Sequence, residues 1–280
     1  MHTFRVDNPH TKPYAFWEWV IAEVLREHPD VVLLSEAFTR PKRMQTLAQL
    51  GFTQSYTYFT WRNTAAELRE YLTELSRPAM ADFFRPNFFA NTPDILHEFL
   101  QHGGPPAFRI RLLLAGTLSP LYGIYSGFEL SENVPVREGS EEYLDSEKYQ
   151  VRVRDWKAPG NLDADIARLN QIRRSEPALQ QVANISFHPS GHPDVLFYVK
   201  GAWARDLLVA VSVNPRERVT AALELPLERL GVGPAETFEV EDLLTGERCS
   251  WQGARQEVRF DPAKRVGHVW RVIRNGGGAG

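Results

Sequence analysis

Three acidic residues follow predicted β-strands in the first half of the chain. Asp7 ends the first strand-like segment, Glu36 follows the second and Asp94 follows the fourth. In a parallel barrel the C-terminal ends of the strands meet at one mouth, where active sites form. Three carboxyl groups at that mouth suit glycoside chemistry, in which one attacks the anomeric carbon, one protonates the leaving group and one holds sugar hydroxyls. For each acid taken alone, a helix cap or first-turn position is the alternative.

Aromatic residues flank these acids and could stack against a sugar ring. They are Trp17, Trp19, Tyr56, Tyr58, Phe59, Trp61, Phe88 and Phe89. Because aromatic side chains commonly fill cores, most of them are expected in the core, and Trp17 in particular lies on a helix stripe. The aromatic content therefore supports a sugar ligand without defining one.

Two further motifs are incomplete. The segment from His97 to His102 reads HExxxH, which places its histidines about 140° apart around a helix, so they cannot chelate one metal ion as HExxH does. Ser35 lacks the flanking glycines of a hydrolase nucleophile elbow. Cys249 is the only cysteine in the sequence, which excludes an internal disulfide and a thiolate zinc site. Metal and serine-hydrolase chemistry are therefore disfavoured.

Strand-like and helical segments alternate in the first half of the chain. The predicted strands are 4–7, 31–34, 53–60, 87–90 and 118–125, and the predicted helices are 13–28, 41–50, 64–75, 95–102, 107–115 and 163–175. Five strands separated by helices indicate a parallel α/β sheet. Because no glycine-rich nucleotide-binding loop is present, a barrel is favoured over a nucleotide-binding fold. Residues 129–159 are polar and predict a long loop.

The pattern changes after residue 177. Short β-rich runs divided by Gly, Pro and Asn follow, at 195–200, 207–213, 220–225, 238–240, 257–260 and 267–273. This pattern is typical of a small antiparallel sandwich. We therefore predict a partial TIM-barrel catalytic domain over 1–178, a β-sandwich domain over 179–274 and a flexible tail over 275–280.

Composition restricts the environment and the partners. The chain has 280 residues, with 32 Lys and Arg against 35 Asp and Glu, and a formal net charge of −3. This balance does not favour a nucleic-acid partner. The first residues lack the basic start and apolar stretch of a signal peptide, and the longest uncharged run, between Arg111 and Glu129, is too short and interrupted to span a bilayer. These features indicate a soluble intracellular protein.

Three short motifs at the strand ends resemble those of the alpha-1,4-glucan:maltose-1-phosphate maltosyltransferases, in the α-amylase clan of retaining glycoside enzymes. The motifs are RVDNPHTKP from Arg5, SEAFTRP from Ser35 and SYTYFTWRN from Ser55. NFFANTPDILHE from Asn87 and EKY from Glu147 match the same subfamily. Most amylase relatives carry Asn-His-Asp where this chain has Thr-Pro-Asp ending at Asp94, so the resemblance is to the maltosyltransferases in particular.

The resemblance implies a role for each matching residue. It implies that Asp7 is the nucleophile that forms a β-maltosyl ester and that Glu36 is the general acid and then the base. Asp94 is implied to grip ring hydroxyls and stabilise the oxocarbenium-like transition state. Arg5 would orient Asp7 and keep it ionised. The remaining substrate-binding positions that match the family are Asn8, Lys148 and Tyr149.

The family also implies a fold and a set of partners. The expected fold is the C-terminal part of a (β/α)8 TIM barrel, about strands four to eight, followed by an all-β antiparallel sandwich. A closed barrel needs eight strands, so activity is expected to need the N-terminal half that family members carry. The implied protein is a cytoplasmic homodimer that binds α-maltose 1-phosphate and an α-1,4-glucan acceptor without a metal or organic cofactor. An amylase-type hydrolase and an inactive glucan-binding remnant are the alternatives.

Overall fold

The described part of the chain contains two groups of β-strands. The structure is a computed structural model and describes residues 2–201 and 206–273. The strands are β1 (Thr3–Asp7), β2 (Val32–Glu36), β3 (Gln54–Tyr56), β4 (Pro86–Phe89), β5 (Leu121–Gly123), β6 (Ile185–His188), β7 (Val195–Lys200), β8 (Leu207–Ser212), β9 (Val219–Glu224), β10 (Thr237–Asp242), β11 (Arg248–Gln252), β12 (Arg255–Phe260) and β13 (Gly267–Ile273). The first five precede the predicted change of pattern and the other eight follow it.

Helices connect the first five strands and are sparse afterwards. They are α1 (Tyr14–Glu27), α2 (Pro41–Gln49), α3 (Ala65–Leu75), α4 (Pro78–Ala81), α5 (Glu98–Leu118), α6 (Asp163–Ser175) and α7 (Leu227–Leu230). α3 begins with a capping box, in which the Thr64 side chain accepts from the backbone N–H of Glu67 while the Glu67 side chain accepts from that of Thr64. None of the helices in the described part of the chain is both long and apolar enough to cross a membrane.

The first five strands form one parallel sheet in sequence order, β1-β2-β3-β4-β5. Parallel strands joined by helices carry all their C-terminal ends to the same edge. That edge therefore holds the residues that follow each strand. The predicted parallel α/β sheet is confirmed.

The later strands form the two layers of an antiparallel sandwich. One sheet has the order β11-β10-β13-β8-β7-β6, and β12 pairs with β9 in the other. Apolar side chains of both sheets meet in one cluster, which includes Phe197, Val240 and Trp270. The predicted sandwich is confirmed, and its strands β6 and β11 are additions to the prediction. The domain boundary at 178/179 stays a prediction, and the predicted tail over 275–280 lies outside the described residues.

The core continues from the parallel sheet into the sandwich. Side chains of α3, α5, β7 and β8 belong to one buried cluster. At the junction the hydroxyl groups of Thr117 and Tyr198 are 2.5 Å apart. A Cβ at Gly267 would lie only 2.5 Å from the Leu113 side chain, so glycine allows β13 to approach α5 closely. The sandwich is therefore packed directly against the helical layer of the parallel sheet.

Four predicted elements are wrong in extent. The strand predicted over 53–60 ends at Tyr56, and a 3₁₀ turn over Tyr58–Trp61 follows, capped by the Thr57 side chain. The helices predicted over 95–102 and 107–115 are joined in α5, which bends at Gly104, where φ is +59°. Because α5 runs on to Leu118, the strand predicted over 118–125 is reduced to three residues.

Candidate active site

The first two strands bring two of the predicted acids together. In the β1–β2 ladder, Asp7 is the register partner of Glu36. Partner residues on parallel strands point to the same face, and neighbouring strands lie about 4.8 Å apart. Both residues end their strands, so both carboxyl groups stand at the C-terminal edge of the sheet.

The Arg5 guanidinium lies between these two carboxyl groups. Its Nη2 donates a short hydrogen bond to Oε2 of Glu36, and its Nη1 is 3.9 Å from Oδ2 of Asp7. The Glu36 side chain is 7% exposed, whereas that of Asp7 is 66% exposed. Arg5 is therefore bound mainly to Glu36, while the resemblance implied a role mainly toward Asp7.

The environment of Glu36 favours its protonated form. Burial raises the pKa of the Glu36 carboxyl, the charges of Asp7 and Asp94 add to this effect, and Arg5 opposes it. Burial opposes the charge of Arg5, but the hydrogen bond and charge of Glu36 raise the pKa of Arg5 overall. The more buried acid is thus the one better suited to donate a proton.

Asp94 lies in the loop after β4, opposite a cation from the long loop. Its backbone N–H is 3.2 Å from Oγ1 of Thr92, which fixes the turn. The Lys148 ammonium donates a short hydrogen bond to Oδ1 of Asp94, and this bond raises the pKa of Lys148. The structure therefore joins residues 54 positions apart in an ion pair at the same edge of the sheet.

Two other predicted binding residues take different positions. Asn8 follows Asp7 in the left-handed conformation, with φ +46°, and its backbone N–H donates to the Glu36 carbonyl at 3.1 Å. Tyr149 is 75% exposed, and its ring centre is 5.4 Å from the Lys148 ammonium. Asn8 lines the site, and Tyr149 stands outside it next to Lys148.

A cavity of about 660 Å³ is lined by Arg5, Asp7, Asn8, Asp94 and Lys148, whereas Glu36 and Tyr149 are not among its lining residues. Its lining residues are Arg5, Asp7, Asn8, Tyr56, Phe89, Pro93, Asp94, Ile124, Tyr125 and Lys148. The polar members carry two acids and two cations, and the others supply an apolar wall. This mixture suits a ligand with many hydroxyl groups and an apolar ring face.

Tyr56 is the lining residue whose place in the site is most informative. It ends β3, is buried, and its ring lies 4.5 Å from that of Phe89. Burial and the nearby Glu36 carboxylate raise the pKa of Tyr56 to about 12, so its hydroxyl stays neutral beside Arg5. The sequence placed Tyr56 only among the flanking aromatics, because the predicted strand ran on to residue 60 and hid the strand end at Tyr56.

The other flanking aromatics separate into core and surface. Phe59 and Phe88 are fully buried and stack with ring centres 4.4 Å apart. Trp17 packs against Phe52 from α1, and Trp19 is 62% exposed. Trp61 donates to Glu141 at 3.0 Å, and Tyr58 donates to a backbone carbonyl. Of the eight, Tyr56 and Phe89 line the cavity.

Metal binding finds no support in the described residues. No group of three or more His, Cys, Asp or Glu side chains comes together in the described ranges 2–201 and 206–273. His97 instead caps α5, where its Nδ1 accepts from the Phe99 N–H at 3.1 Å. His97 therefore lies before α5 and not inside the helix that the sequence predicted over 95–102.

Solved structures define the class of fold. An alpha-amylase from Geobacillus thermoleovorans aligns with 99% of this chain and 61% of its own, at a TM-score of 0.76 and 13% identity. CldA, a cyclomaltodextrin glucanotransferase, aligns with 98% and 57%, at 0.74 and 15% identity. The predicted fold class is confirmed: the chain has the fold of a C-terminal part of an α-amylase-type TIM barrel followed by a β-sandwich.

Sequence comparisons identify the particular relatives. The family model "GLGE, C-terminal" matches residues 187–272. Alpha-1,4-glucan:maltose-1-phosphate maltosyltransferase 1 of Streptomyces coelicolor is 56% identical over 97% of this chain, and the Myxococcus xanthus maltosyltransferase is 51% identical over 98%. The chain spans about two fifths of the length of these curated relatives. The resemblance is confirmed: the chain is similar to a C-terminal portion of the maltosyltransferases.

Proposed function

We propose that this chain carries the catalytic groups of a retaining maltosyltransferase, which moves maltosyl units from α-maltose 1-phosphate to the non-reducing end of an α-1,4-glucan. The geometry that carries the proposal is the Arg5 guanidinium between Asp7 and Glu36, facing the Asp94–Lys148 pair in one cavity. Relatives of that name share 49–56% identity with the chain.

In the first step, a carboxylate oxygen of Asp7 attacks the anomeric carbon as the bond to the phosphate oxygen breaks. Glu36 gives its proton to that departing oxygen, which its raised pKa favours. The product is a β-maltosyl ester of Asp7 and free phosphate. Asp7 and Glu36 are register partners on neighbouring strands about 4.8 Å apart, a placement that allows the carboxyl separation of about 5 Å used by retaining enzymes.

In the second step, the Glu36 carboxylate takes the proton of the acceptor 4-hydroxyl. The acceptor oxygen then attacks the anomeric carbon and displaces Asp7, so two inversions restore the α-configuration. Asp94 holds ring hydroxyls and stabilises the positive charge of the transition state. Asn8, Lys148 and the exposed Tyr149 bind the donor around this centre.

Each region of the chain has a role in this function, and the complete protein has a location and an oligomeric state. Residues 1–178 act as the partial catalytic domain and 179–274 as the C-terminal β-sandwich domain. The complete protein is a cytoplasmic homodimer in glycogen-like glucan synthesis and needs no organic cofactor or metal. Because the chain spans two fifths of its relatives, the remaining barrel strands and further donor contacts come from the N-terminal part of such proteins.

Phosphate release tests this function. A form that spans the full length of the relatives, given α-maltose 1-phosphate and maltohexaose, should release phosphate and lengthen the glucan. Asp7→Ala should lower this rate at least about a thousandfold, because removing a nucleophile abolishes the covalent route. Asp30→Ala is the matched control, because Asp30 lies at the other end of the sheet, paired with His2.

The covalent ester gives a second readout. In Glu36→Ala, α-maltosyl fluoride can still react because fluoride needs little protonation, whereas the base for the acceptor is missing. Mass spectrometry should then find a maltosyl group on the peptide that contains Asp7. Starch hydrolysis without phosphate release would support an amylase-type hydrolase instead. Retention on a glucan gel that Asp7→Ala leaves unchanged, without turnover, would support a glucan-binding remnant.

A further inference from the structure

Lys148 reaches the candidate site from a long irregular segment. Between Ser131 and Leu162 the structure contains neither a helix nor a ladder strand, and the one backbone bridge there joins Pro135 to Tyr143. Regular secondary structure therefore does not hold Lys148 against Asp94. Lys148 is held instead by local backbone hydrogen bonds, such as that of the Tyr149 N–H to the Ser146 carbonyl at 3.0 Å, and by side-chain contacts.

The Arg154 side chain connects two acids of this segment. Its Nε and Nη2 donate to the two carboxylate oxygens of Glu132 at 2.9 and 3.2 Å. Its Nη1 is 2.7 Å from Oε1 of Glu147, the residue before Lys148. The Arg154 side chain is only 3% exposed. Two-point binding of a carboxylate by a guanidinium fixes orientation as well as distance.

The backbone at Gly127 makes room for this clamp. Gly127 has φ +96°, and a Cβ there would lie 2.2 Å from Oε2 of Glu132. The neighbouring Ser126 carbonyl accepts from Nη2 of Arg154 at 3.4 Å. Arg154 is thereby tied to the turn that follows β5, which belongs to the parallel sheet.

Glu147 directly precedes Lys148, so contacts that fix Glu147 also limit where Lys148 can lie. The Glu147 backbone N–H donates to the hydroxyl of Tyr125 at 3.2 Å, and Tyr125 lines the candidate cavity. Glu147 is therefore held by its side chain and by its backbone. The next residue places its ammonium on Asp94.

The outward face of the segment offers no comparable restraint. Tyr149 is 75% exposed, and Val151 and Val153 are each 96% exposed. The alternate residues Arg152 and Arg154 turn inward onto Glu132. Of these two arginines, Arg154 is the one that contacts Glu147, the residue before Lys148.

We propose that Arg154 is a positioning residue, which holds the Lys148 segment so that the ammonium stands opposite Asp94 in the cavity. The role of Lys148 as a donor-binding cation rests on the proposed function, whereas its placement by Arg154 does not. Arg152 is the matched comparison. Like Arg154, it binds Glu132: its Nη2 donates to Oε1 of Glu132 at 3.2 Å. Its Nη1 donates to two backbone carbonyls, and it does not contact Glu147.

Competitive acetylation of the 280-residue chain tests the placement. Trace acetic anhydride labels lysines according to their free-amine fraction and access, and mass spectrometry compares Lys148 with the exposed Lys42 as an internal reference. In Arg154→Met, Lys148 labelling should rise about three- to tenfold relative to Lys42. Hydrogen exchange over 144–156 should accelerate with it. In Arg152→Met, labelling should change less than twofold.

Glu147→Gln separates positioning from general destabilisation. It removes the carboxylate next to Lys148 and leaves the Arg154–Glu132 pair, so it should raise Lys148 labelling while exchange in β7 and β8 stays unchanged. Arg154→Lys keeps the charge without the two-point contact and should give an intermediate value. Unchanged Lys148 labelling in both Arg154→Met and Glu147→Gln overturns the proposal. Because no readout needs turnover, absence of phosphate release would count against the function alone.

Discussion

The candidate site and the helical layer behind the parallel sheet both bury charge, in different ways. At the site, the buried Glu36 pairs with Arg5, and Arg5 lines an open cavity. In the helical layer, Arg111 of α5 and Arg173 of α6 are buried and donate to backbone carbonyls, and so does Lys200 at the end of β7 in the adjoining sandwich. These three side chains, the scaffold cations, therefore donate hydrogen bonds to carbonyls of irregular backbone. The charges of the site, in contrast, remain available to a ligand.

The targets of the scaffold cations explain their location. Arg111 donates at 2.6 Å to the carbonyls of Phe59 and Arg62, in and after the 3₁₀ turn that follows β3. Arg173 donates at 3.0 and 2.7 Å to the carbonyls of Ser119 and Pro120, where α5 turns into β5. Buried carbonyls at such ends have no ladder or helix partner and are costly unless bonded. Buried charge thus has a structural use in one region and a chemical use in the other.

Among the buried charges, replacing Arg111 should have the largest effect on the free energy of unfolding. Arg111→Met should lower the free energy of unfolding by about 2 kcal/mol, because the Arg62 carbonyl loses its Arg111 donor and the Phe59 carbonyl keeps only the Arg62 N–H. Urea unfolding measures this loss. Arg109→Met, on the same helix, removes a partly exposed pair with Asp165 and should cost less than about 1 kcal/mol. Equal losses in the two variants would contradict the structural role of Arg111.

Lys200 should make the stability of the folded chain depend on pH. Burial, with a contribution from Arg173, lowers the pKa of Lys200 to about 7. The unfolded chain keeps this proton up to a pH of about 10.4, whereas the folded chain loses it above pH 7. The free energy of unfolding therefore rises as pH rises above 7, and this gain is lost as pH falls through 7. Relative to Lys200→Met, the wild-type chain should gain about 1 kcal/mol per pH unit between pH 7.5 and 9.5.

Urea unfolding at pH 7.5, 8.5 and 9.5 measures that slope. Lys264→Met, at an exposed lysine, is the control and should follow the wild-type slope. Parallel curves for the wild type and Lys200→Met would show that Lys200 keeps its proton in the folded chain.

Replacing Glu36 should have the smallest effect on stability, and its pH dependence should have the opposite sign to that of Lys200. Its raised pKa means that the folded chain holds the proton more tightly, so the wild type loses stability as pH rises through that pKa. Glu36→Gln cannot titrate and should stay within about 1 kcal/mol of the wild type at pH 5, becoming relatively more stable toward pH 8. Thermal unfolding across this range checks the trend, with Glu27→Gln as the exposed control. A variant that weakens toward pH 8 would indicate that Arg5 dominates.

The parts of the site that follow regular strands could be predicted from the sequence. Asp7 and Glu36 end apolar runs, and the rule that parallel strands end at one edge was enough to bring them together. The assignment of Lys148 came from the resemblance, because no local pattern connects it to Asp94. The structure adds their ion pair.

Features set by long-range polar contacts were missed for a physical reason. The Arg154–Glu132 pair joins two points of a loop that has no periodicity, so no spacing rule reports it. β11 reads Arg-Cys-Ser-Trp-Gln with only its tryptophan buried, which leaves too little apolar alternation to predict a strand at the edge of a sheet. The 3₁₀ turn after Tyr56 interrupts a β-prone sequence because tertiary hydrogen bonds to Arg111 stabilise it.

The close approach of β13 to α5 has a consequence for how the chain unfolds. Because Gly267 lets the sandwich rest on Leu113 and one apolar cluster includes side chains of both regions, separating them exposes core on each side. The two architectures are then coupled and should melt in a single cooperative transition, with equal calorimetric and van't Hoff enthalpies. The change from parallel to antiparallel sheet between β5 and β6 is then expected to be a boundary of architecture and not one of folding units.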